Sequence, residues 1–251
     1  MRRDSGLRGV LLAGGTGSRL YPLTKVTNKH LLPVGREPMI FHPLRRLLEA
    51  GIHEIIVVSG TDHLGDVVSL LGSGRDLGAE LTYRVQDEAG GIAQALGLCR
   101  DFVGDGRVAV ILADNIFTSA VTGCVQRFLA QPGGARLVLA RVPDPARFGV
   151  AAFGPEPDRR LLRIDEKPPA PPSDYAVTGL YFYDSRVFDI IAGLEPSARG
   201  ELEITDVNNT YLAWDELEYD LWDAGWTDAG TFASLRRANW LVNNDDDDTH
   251  R

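Results

Sequence analysis

Hydrophobic residues in the first half of the chain follow two patterns, short unbroken runs and longer segments with helical spacing. The runs predict buried β-strands, and apolar residues three and four positions apart predict helices. Predicted strands cover residues 7–13, 54–59, 81–85, 107–112 and 136–142. Predicted helices cover residues 38–50, 62–71, 90–102 and 119–130. Pro43 falls inside the first of these helices, and we expect it to kink or split that helix.

Strands that alternate with helices of 10 to 15 residues predict an α/β fold with a doubly wound, mainly parallel, Rossmann-like sheet flanked by helices. The second half is less regular. Its predicted strands are 148–153, 161–164, 176–183 and 219–222, and its predicted helices are 201–214 and 231–242. The first two strands form a predicted hairpin, and the four prolines of 167–172 predict an extended loop. We therefore expect a smaller antiparallel β region in this half.

The chain shows no internal repeat and no linker, so we expect one domain over residues 1–251. Residues 243–251 include four consecutive aspartates and predict a disordered, solvated tail.

The net charge of -9 argues against a nucleic-acid partner, so cations that bind an anionic ligand should be local to one site. No apolar run reaches the ~18 residues of a membrane span, and no signal peptide is evident, so we expect a cytoplasmic protein without a membrane partner. Cys99 and Cys124 lie in apolar helical patterns and are expected to be buried free thiols.

A glycine-rich turn follows the first predicted strand, and an arginine and a lysine come after it. Glycines let the backbone approach a ligand, successive N–H groups can cradle an anion, and the cations add positive charge. The segment comprises Gly14, Gly15, Thr16, Gly17, Ser18, Arg19 and, ten residues on, Lys29. Leu20 stands where a dinucleotide fingerprint needs glycine, and no Gly-Lys-Ser/Thr of a P-loop follows. A nucleoside triphosphate site is indicated, with a plain surface turn as the alternative.

Polar residues also follow the third and fourth predicted strands, where ligands bind in α/β sheets. Gln86 comes directly after the predicted strand 81–85, and Asp114 comes just after the predicted strand 107–112. Mg²⁺ takes one or two carboxylates together with substrate phosphates, which makes Asp114 the best metal candidate. The alternative is an ordinary cap of the following helix.

Several of these segments resemble the sugar-phosphate nucleotidylyltransferases. The resemblance begins in residues 12–24 and 28–34, continues in Asp114-Asn115 and Glu166-Lys167-Pro168, and is most specific in 196–206. It covers nearly the whole chain, and it implies a nucleotide-binding half, about 7–142, and a sugar-binding half, about 143–242. It implies transfer of a thymidylyl group from dTTP to α-D-glucose 1-phosphate, with pyrophosphate as the second product, at the start of dTDP-deoxysugar synthesis such as that of dTDP-rhamnose.

The resemblance also implies roles for individual residues. The catalytic group would be Arg19, Lys29, Asp114 and Lys167. The glycine-rich turn, Gln86 and Gly91 would bind the nucleotide, and Gln86 and Gly91 would read the thymine. The sugar phosphate would be bound by Asn115, Gly149, Glu166, Lys167, Val177 and Arg199. Mg²⁺ would be held by Asp114 and Asp228, although Asp228 alone resembles an Asx turn.

This chain departs from the family pattern at three positions near these residues. Ala113 replaces a usual glycine, Phe148 replaces a frequent tyrosine whose hydroxyl contact would be absent, and His30 stands where longer members have glutamine. We interpret His30 as a neighbour of the site and not as a base, because direct attack by the sugar phosphate needs none.

The resemblance further implies a homo-oligomer, a dimer or tetramer. The chain ends soon after Trp240, as in a short form, so its assembly and feedback regulation stay open. Two alternatives remain for its function. One is uridylyl or other nucleotidylyl transfer to a related sugar phosphate. The other is a non-catalytic sugar-nucleotide-binding subunit, which should have lost Arg19, Lys29, Asp114 or Asp228, and all four are present.

Overall fold

A computed structural model describes residues 6–155, 157 and 159–248, with side chains as far as residue 244. The strands are β1 (Leu7–Ala13), β2 (Pro33–Val34), β3 (Glu37–Pro38), β4 (Glu54–Gly60), β5 (Glu80–Gln86), β6 (Arg107–Leu112), β7 (Asn115–Phe117), β8 (Ala135–Arg141), β9 (Gly149–Phe153), β10 (Leu161–Glu166), β11 (Tyr175–Tyr183), β12 (Leu217–Trp222) and β13 (Trp226–Asp228). The α-helices are α1 (Phe41–Glu49), α2 (Leu64–Leu71), α3 (Ile92–Gly97), α4 (Arg100–Val103), α5 (Thr122–Ala130), α6 (Val187–Ala192), α7 (Ile204–Ala213) and α8 (Phe232–Asp248).

Nine strands form one mixed sheet in the order β10-β9-β11-β6-β1-β4-β5, with β8 paired to β11 and β12 paired to β8. Strands β6, β1, β4 and β5 are mutually parallel, with Val10 of β1 level with both Ile56 and Val110. Such strands are buried on both faces, which explains their unbroken apolar sequences. The parallel part of the predicted sheet is therefore confirmed.

The second half of the chain extends this same sheet with mostly antiparallel strands. Strand β11 runs antiparallel to β6 and to β8, and β9 and β10 form the predicted hairpin. The predicted fold class, with its smaller antiparallel region, is confirmed. Two short ladders, β7 with β13 and β2 with β3, lie outside the main sheet and have no counterpart in the sequence patterns.

Helices cover both faces of the sheet, as the doubly wound prediction requires. On one face, Leu44 and Leu47 of α1 and Phe128 of α5 pack in a cluster with alternate strand residues. The other face carries a second cluster, in which Leu96 and Tyr211 come from helices α3 and α7. Apolar burial on both faces holds the strands rigidly, which fixes the positions of the loops at their ends.

Helix α1 begins at Phe41, so Pro43 lies in the first turn and neither kinks nor splits it, and our expectation there was wrong. The first turn has no intrahelical use for the missing N–H group. The helix predicted over 90–102 is divided into α3 and α4.

Helix α8 continues to Asp248, six residues into the segment that we expected to be disordered, and residues 249–251 lie outside the described part. Cys99 and Cys124 are buried free thiols, as predicted. Within the described residues, no helix is both long enough and apolar enough to cross a membrane.

Candidate active site

A cleft of about 400 Å³ opens at the carboxyl ends of the parallel strands and runs on toward β9, β10 and α7. It brings together most of the predicted residues, from both halves of the chain. Those lining it are Gly14, Gly15, Arg19, Lys29, Gln86, Gly91, Asp114, Asn115, Gly149, Glu166, Lys167, Val177, Arg199 and Asp228. Thr16, Gly17 and Ser18, predicted to bind the nucleotide, belong to the same turn but do not line this cleft.

An ion pair lies at the centre of the cleft. Nζ of Lys29 is 2.6 Å from Oδ2 of Asp114, and only 13% and 12% of the two side chains are exposed. Burial raises the pKa of Asp114, but the charge of Lys29 and its hydrogen bond outweigh it and hold that pKa well below its usual range. Asp114 is therefore a carboxylate at neutral pH. Lys29 offers a positive charge that a phosphate could attract.

His30 lies directly beneath this pair and is almost fully buried. Its backbone N–H donates to Oδ1 of Asn28, 2.9 Å away, and its Nδ1 is 2.7 Å from the same oxygen. Burial, with the neighbouring charge of Lys29, lowers the pKa of His30 to about 3. The neutral imidazole supports the short 3-10 helix Lys29–Leu31, in agreement with its interpretation as a neighbour of the site.

The second predicted metal residue, Asp228, reaches the same place through the β7–β13 ladder. Asp228 pairs with Asn115 across that ladder, and the N–H of Ala229 donates to the backbone oxygen of Asp114 at 2.7 Å. A Cβ at Gly230 would lie 3.3 Å from Oδ2 of Asp228 and 3.6 Å from Oδ2 of Asp114. The two carboxylates thus converge on one small space that glycine leaves open.

Cations surround this carboxylate pair. A Cβ added at Gly230 would also lie 3.0 Å from a guanidinium nitrogen of Arg19. Arg147 donates to Oδ2 of Asp228 at 2.9 Å. Burial and the negative charge of Asp114 raise the pKa of Asp228, while Arg147 and Arg19 oppose the rise. The carboxylates repel each other, so a cation bound between them would stabilise both in the charged form.

These residues fit a divalent cation that draws its other ligands from the substrate. The described residues hold no group of three or more His, Cys, Asp or Glu side chains arranged for a metal. Two carboxylates with arginine and lysine side chains beside them match the way Mg²⁺ is usually held together with substrate phosphates. The chain would therefore supply part of the coordination shell.

Gln86 and Gly91 lie together at one end of the cleft. The Gln86 amide donates to Oε1 of Gln94 at 2.6 Å and to the carbonyl of Gly91 at 3.3 Å, which fixes its orientation. Gly91 has a φ of 99°, and a Cβ there would lie 2.5 Å from the backbone oxygen of Leu202. Glycine is required at this position by both its conformation and its neighbour.

Glu166 lies at the other end of the cleft and contacts three side chains there. Thr205 of α7 donates to its Oε2 at 2.6 Å, and Lys167 and Arg199 each place a nitrogen 3.2 Å from its Oε1. Arg199 is also bound by Glu203 at 2.6 Å. These contacts orient the Glu166 carboxylate and set two cations beside it.

Asn115 ties the two ends together. Its Oδ1 accepts from the N–H of Gly179 at 2.8 Å and from the indole of Trp226 at 2.9 Å, and its Nδ2 donates to Asp114 at 3.0 Å. The side chain is therefore engaged within the protein, where it holds Asp114 in position. Its predicted contact with the sugar phosphate stays a prediction.

Sequence reasoning missed several residues of the cleft. Arg147 was not predicted as a site residue, and the structure pairs it with Asp228. Thr205, Tyr181, Asn208 and Trp226 also line the cleft. Phe148, where a tyrosine hydroxyl was expected to be absent, packs its ring 5.6 Å from that of Trp226. Thr205 lies within the specific segment 196–206, which is the local signal that could have identified it.

The cleft combines three features: a glycine turn after a parallel strand, two carboxylates that face each other, and clustered cations. Together they define an α/β protein that binds phosphorylated ligands at the carboxyl edge of its sheet. Residues 8–245 match the family model described as nucleotidyl transferase, and the chain belongs to this family.

Similar proteins within the family are known. A glucose-1-phosphate thymidylyltransferase of Neisseria gonorrhoeae is 44% identical over 94% of this chain and 82% of its own length. A solved structure of a proposed glucose-1-phosphate thymidylyltransferase from Bacillus anthracis, in complex with sucrose, is 57% identical with a TM-score of 0.90, and the match covers 95% of this chain and 96% of that one.

A UDP-glucose pyrophosphorylase complexed with UDP-glucose matches with a TM-score of 0.82 at 22% identity, over 95% of this chain and 99% of that one. Likeness at that identity shows the fold alone. It adds nothing on which base this chain selects.

Proposed function

We propose that the chain joins dTTP and α-D-glucose 1-phosphate to give dTDP-glucose and pyrophosphate. The observation that carries this proposal is a single cleft in which two converging carboxylates and the cations Arg19 and Lys29 lie between an amide end and a glutamate end. The 44% identity to a glucose-1-phosphate thymidylyltransferase over 94% of the chain supports the choice of substrates.

The reaction needs no nucleophile from the protein. An oxygen of the sugar phosphate attacks the α-phosphorus of dTTP in line, the bond from that phosphorus to the bridging oxygen breaks, and pyrophosphate leaves. Positioning and charge stabilisation perform most of such a transfer. Lys29 would exchange its contact with Asp114 for the triphosphate, and Arg19 would bind the same phosphates.

We propose Mg²⁺ as the cofactor, held by Asp114 and Asp228. When bound, it would supply positive charge to the phosphoryl oxygens that gain negative charge in the transition state. Arg147 would keep Asp228 directed toward that position, since it already donates to Oδ2.

The two ends of the cleft would select the two substrates. We assign the thymine to Gln86 and Gly91, because an oriented amide can pair with the imide edge of the base. We assign the sugar hydroxyls to Glu166 and to the backbone of Gly149 and Val177. Lys167 would bind the sugar phosphate, and Arg199 would assist it after loosening its contact with Glu203.

The test is pyrophosphate release with glucose 1-phosphate and Mg²⁺, with dTTP, UTP, CTP, ATP and GTP offered separately. We expect dTTP to give the highest kcat/KM, with UTP second. Equal or higher activity with another triphosphate would contradict the thymidylyl assignment, and absence of release with all five would contradict the proposed reaction.

The family resemblance also leads us to propose that the chain forms a homo-oligomer, a dimer or tetramer. Light scattering coupled to size-exclusion chromatography measures this directly. A mass of one chain at micromolar concentration would contradict it.

A further inference from the structure

Three stacked tyrosines lie behind the sugar end of the cleft. Tyr181 and Tyr183 project from the same face of β11 with ring centroids 6.3 Å apart, and Tyr183 lies 5.7 Å from Tyr211 of α7. The hydroxyl of Tyr211 donates to Asp184 at 2.8 Å, and that of Tyr183 donates to Oδ1 of Asn208 at 2.5 Å. The hydroxyls of Tyr183 and Tyr211 therefore both have hydrogen-bond partners within the protein.

Two polar groups beside these hydroxyls, both on side chains that line the cleft, have no hydrogen-bond partner among the described residues. Asn208 lines the cleft and is only 1% exposed. Its Nδ2 is buried and has no hydrogen-bond partner among the described residues. In the same described part of the chain, the hydroxyl of Tyr181 has no hydrogen bond, and this side chain also lines the cleft. A buried unpaired donor is destabilising, so its retention calls for a partner that is absent from the free chain.

The surroundings indicate the chemistry of that partner. Asn208 lies one helical turn after Thr205, whose hydroxyl holds Glu166, so the carboxamide belongs to the sugar end of the cleft. The cleft meets its phosphates with Arg and Lys side chains. An uncharged amide donor in the same cleft lining as an uncharged phenol suits a neutral hydroxyl group.

The contact with Tyr183 makes the amide a directed donor. Because the Tyr183 hydroxyl donates to Oδ1, the carboxamide is held with Nδ2 as its remaining hydrogen-bonding end. A site built to hydrogen-bond a substrate hydroxyl discriminates strongly against an analogue that lacks it, since the buried group is then left unpaired.

We propose that the Asn208 carboxamide, which is oriented by Tyr183 and lines the same cleft as Tyr181, is a sugar-specificity residue that donates a hydrogen bond to one hydroxyl of the hexose. This inference rests on the proposed function for its substrate. It extends that function by assigning selection of one sugar hydroxyl to helix α7.

The test compares Tyr183→Phe with the double variant Tyr183→Phe/Asn208→Leu. Removing both partners of their hydrogen bond avoids a new unpaired group in the core, and the single variant retains the amide. For each variant, kcat/KM is measured with glucose 1-phosphate and with its 2-, 3-, 4- and 6-deoxy analogues, at saturating dTTP. Melting temperatures verify that both variants are folded.

We expect the double variant to lose about tenfold in kcat/KM for glucose 1-phosphate relative to Tyr183→Phe, mainly through KM. For one deoxy analogue, the one that lacks the contacted hydroxyl, the two variants should perform equally. Equal losses with all five sugars would overturn the inference, because the amide would then support the fold or an ordered water without reading the sugar.

Asn208→Asp is the second variant, for the case in which the leucine variant does not fold. It retains an oxygen for Tyr183 and removes the amide donor, so we expect the same selective loss. Wild-type turnover of dTTP and glucose 1-phosphate is measured first and tests the proposed function by itself. With that turnover present, an unselective loss contradicts only the assignment of Asn208.

Discussion

At the nucleotide end of the cleft, the ligand-facing groups lie at or just after the ends of parallel strands, whereas at the sugar end they come from β9, β10, β11, α7 and the segments that connect them. Asp114 and Gln86 are placed by the ends of strands β6 and β5. Glu166 instead depends on Thr205 from a helix 39 residues further along the chain.

The two ends also differ in how charge is balanced. At the nucleotide end each carboxylate has one close cation, Lys29 for Asp114 and Arg147 for Asp228. A phosphate can replace such a partner. Around Glu166 the contacts form a network, since Arg199 touches Glu203 as well. We infer that the nucleotide end rearranges on binding, whereas the sugar end is largely preformed.

The first prediction breaks the nucleotide end. We expect Asp114→Asn to lower kcat on the order of 10³-fold, because it removes one of the two converging charges that would hold Mg²⁺. Pyrophosphate release with dTTP and glucose 1-phosphate measures it. The exposed Asp101, changed to asparagine, is the matched control. Near wild-type rates in excess Mg²⁺ would remove Asp114 from the proposed metal pair.

The second prediction breaks the sugar end alone. We expect Glu166→Gln to raise KM for glucose 1-phosphate by roughly 10- to 100-fold, since charged hydrogen bonds to the sugar and to Lys167 and Arg199 are weakened. KM for dTTP should change little. Asp165→Asn, on the same strand, is the control because Asp165 pairs with Arg163. Equal rises for both substrates would contradict the separation of the two ends.

The strands that position the nucleotide end are readable from the sequence. Leu7–Ala13 and Arg107–Leu112 were predicted with the bounds that the structure has. Both are unbroken apolar runs, because parallel strands are buried on two faces. The residues that follow them therefore fall at the sheet edge where ligands bind, and Asp114 could be predicted on that ground.

The rest of the site depends on contacts that no local pattern announces. Strands β7 and β13 have three residues each, too few for a period, and their pairing joins Phe117 to Trp226 across more than 100 residues. Asp228 reached the prediction only through the family resemblance. Asn208 occupies a helix position that is polar in sequence, and it is buried where α7 packs against β10 and contacts Tyr183 of β11.

The third prediction tests the base-reading part of the nucleotide end. We expect Gly91→Ala to lower the free energy of unfolding by about 2 kcal/mol, a fall in Tm of roughly 5 °C, because alanine is strained at a φ of 99° and its Cβ would meet a backbone oxygen. KM for dTTP should rise more than KM for glucose 1-phosphate. Gly65→Ala, with open space around its Cβ, is the control. An unchanged Tm would contradict the strain.

The last prediction concerns the support beneath the nucleotide end. Burial lowers the pKa of His30 to about 3, whereas an unfolded histidine titrates near 6.5. Between these pH values the unfolded chain binds a proton at His30 that the folded chain excludes. The contribution of the neutral His30 to the free energy of unfolding is therefore complete above pH 6.5 and declines as the pH falls toward 3.

His30→Gln removes that contribution, and we expect the wild type to lose up to about 1.4 kcal/mol more stability per pH unit than the variant in this window. Urea unfolding at pH 6.5, 5.5 and 4.5 measures the difference, with His53→Gln as a matched replacement away from the cleft. Parallel stability curves for the wild type and His30→Gln would mean that the imidazole is protonated in the folded chain. The 3-10 helix carrying Lys29 would then rest on a charged group, and the nucleotide end would hold one more cation than its geometry indicates.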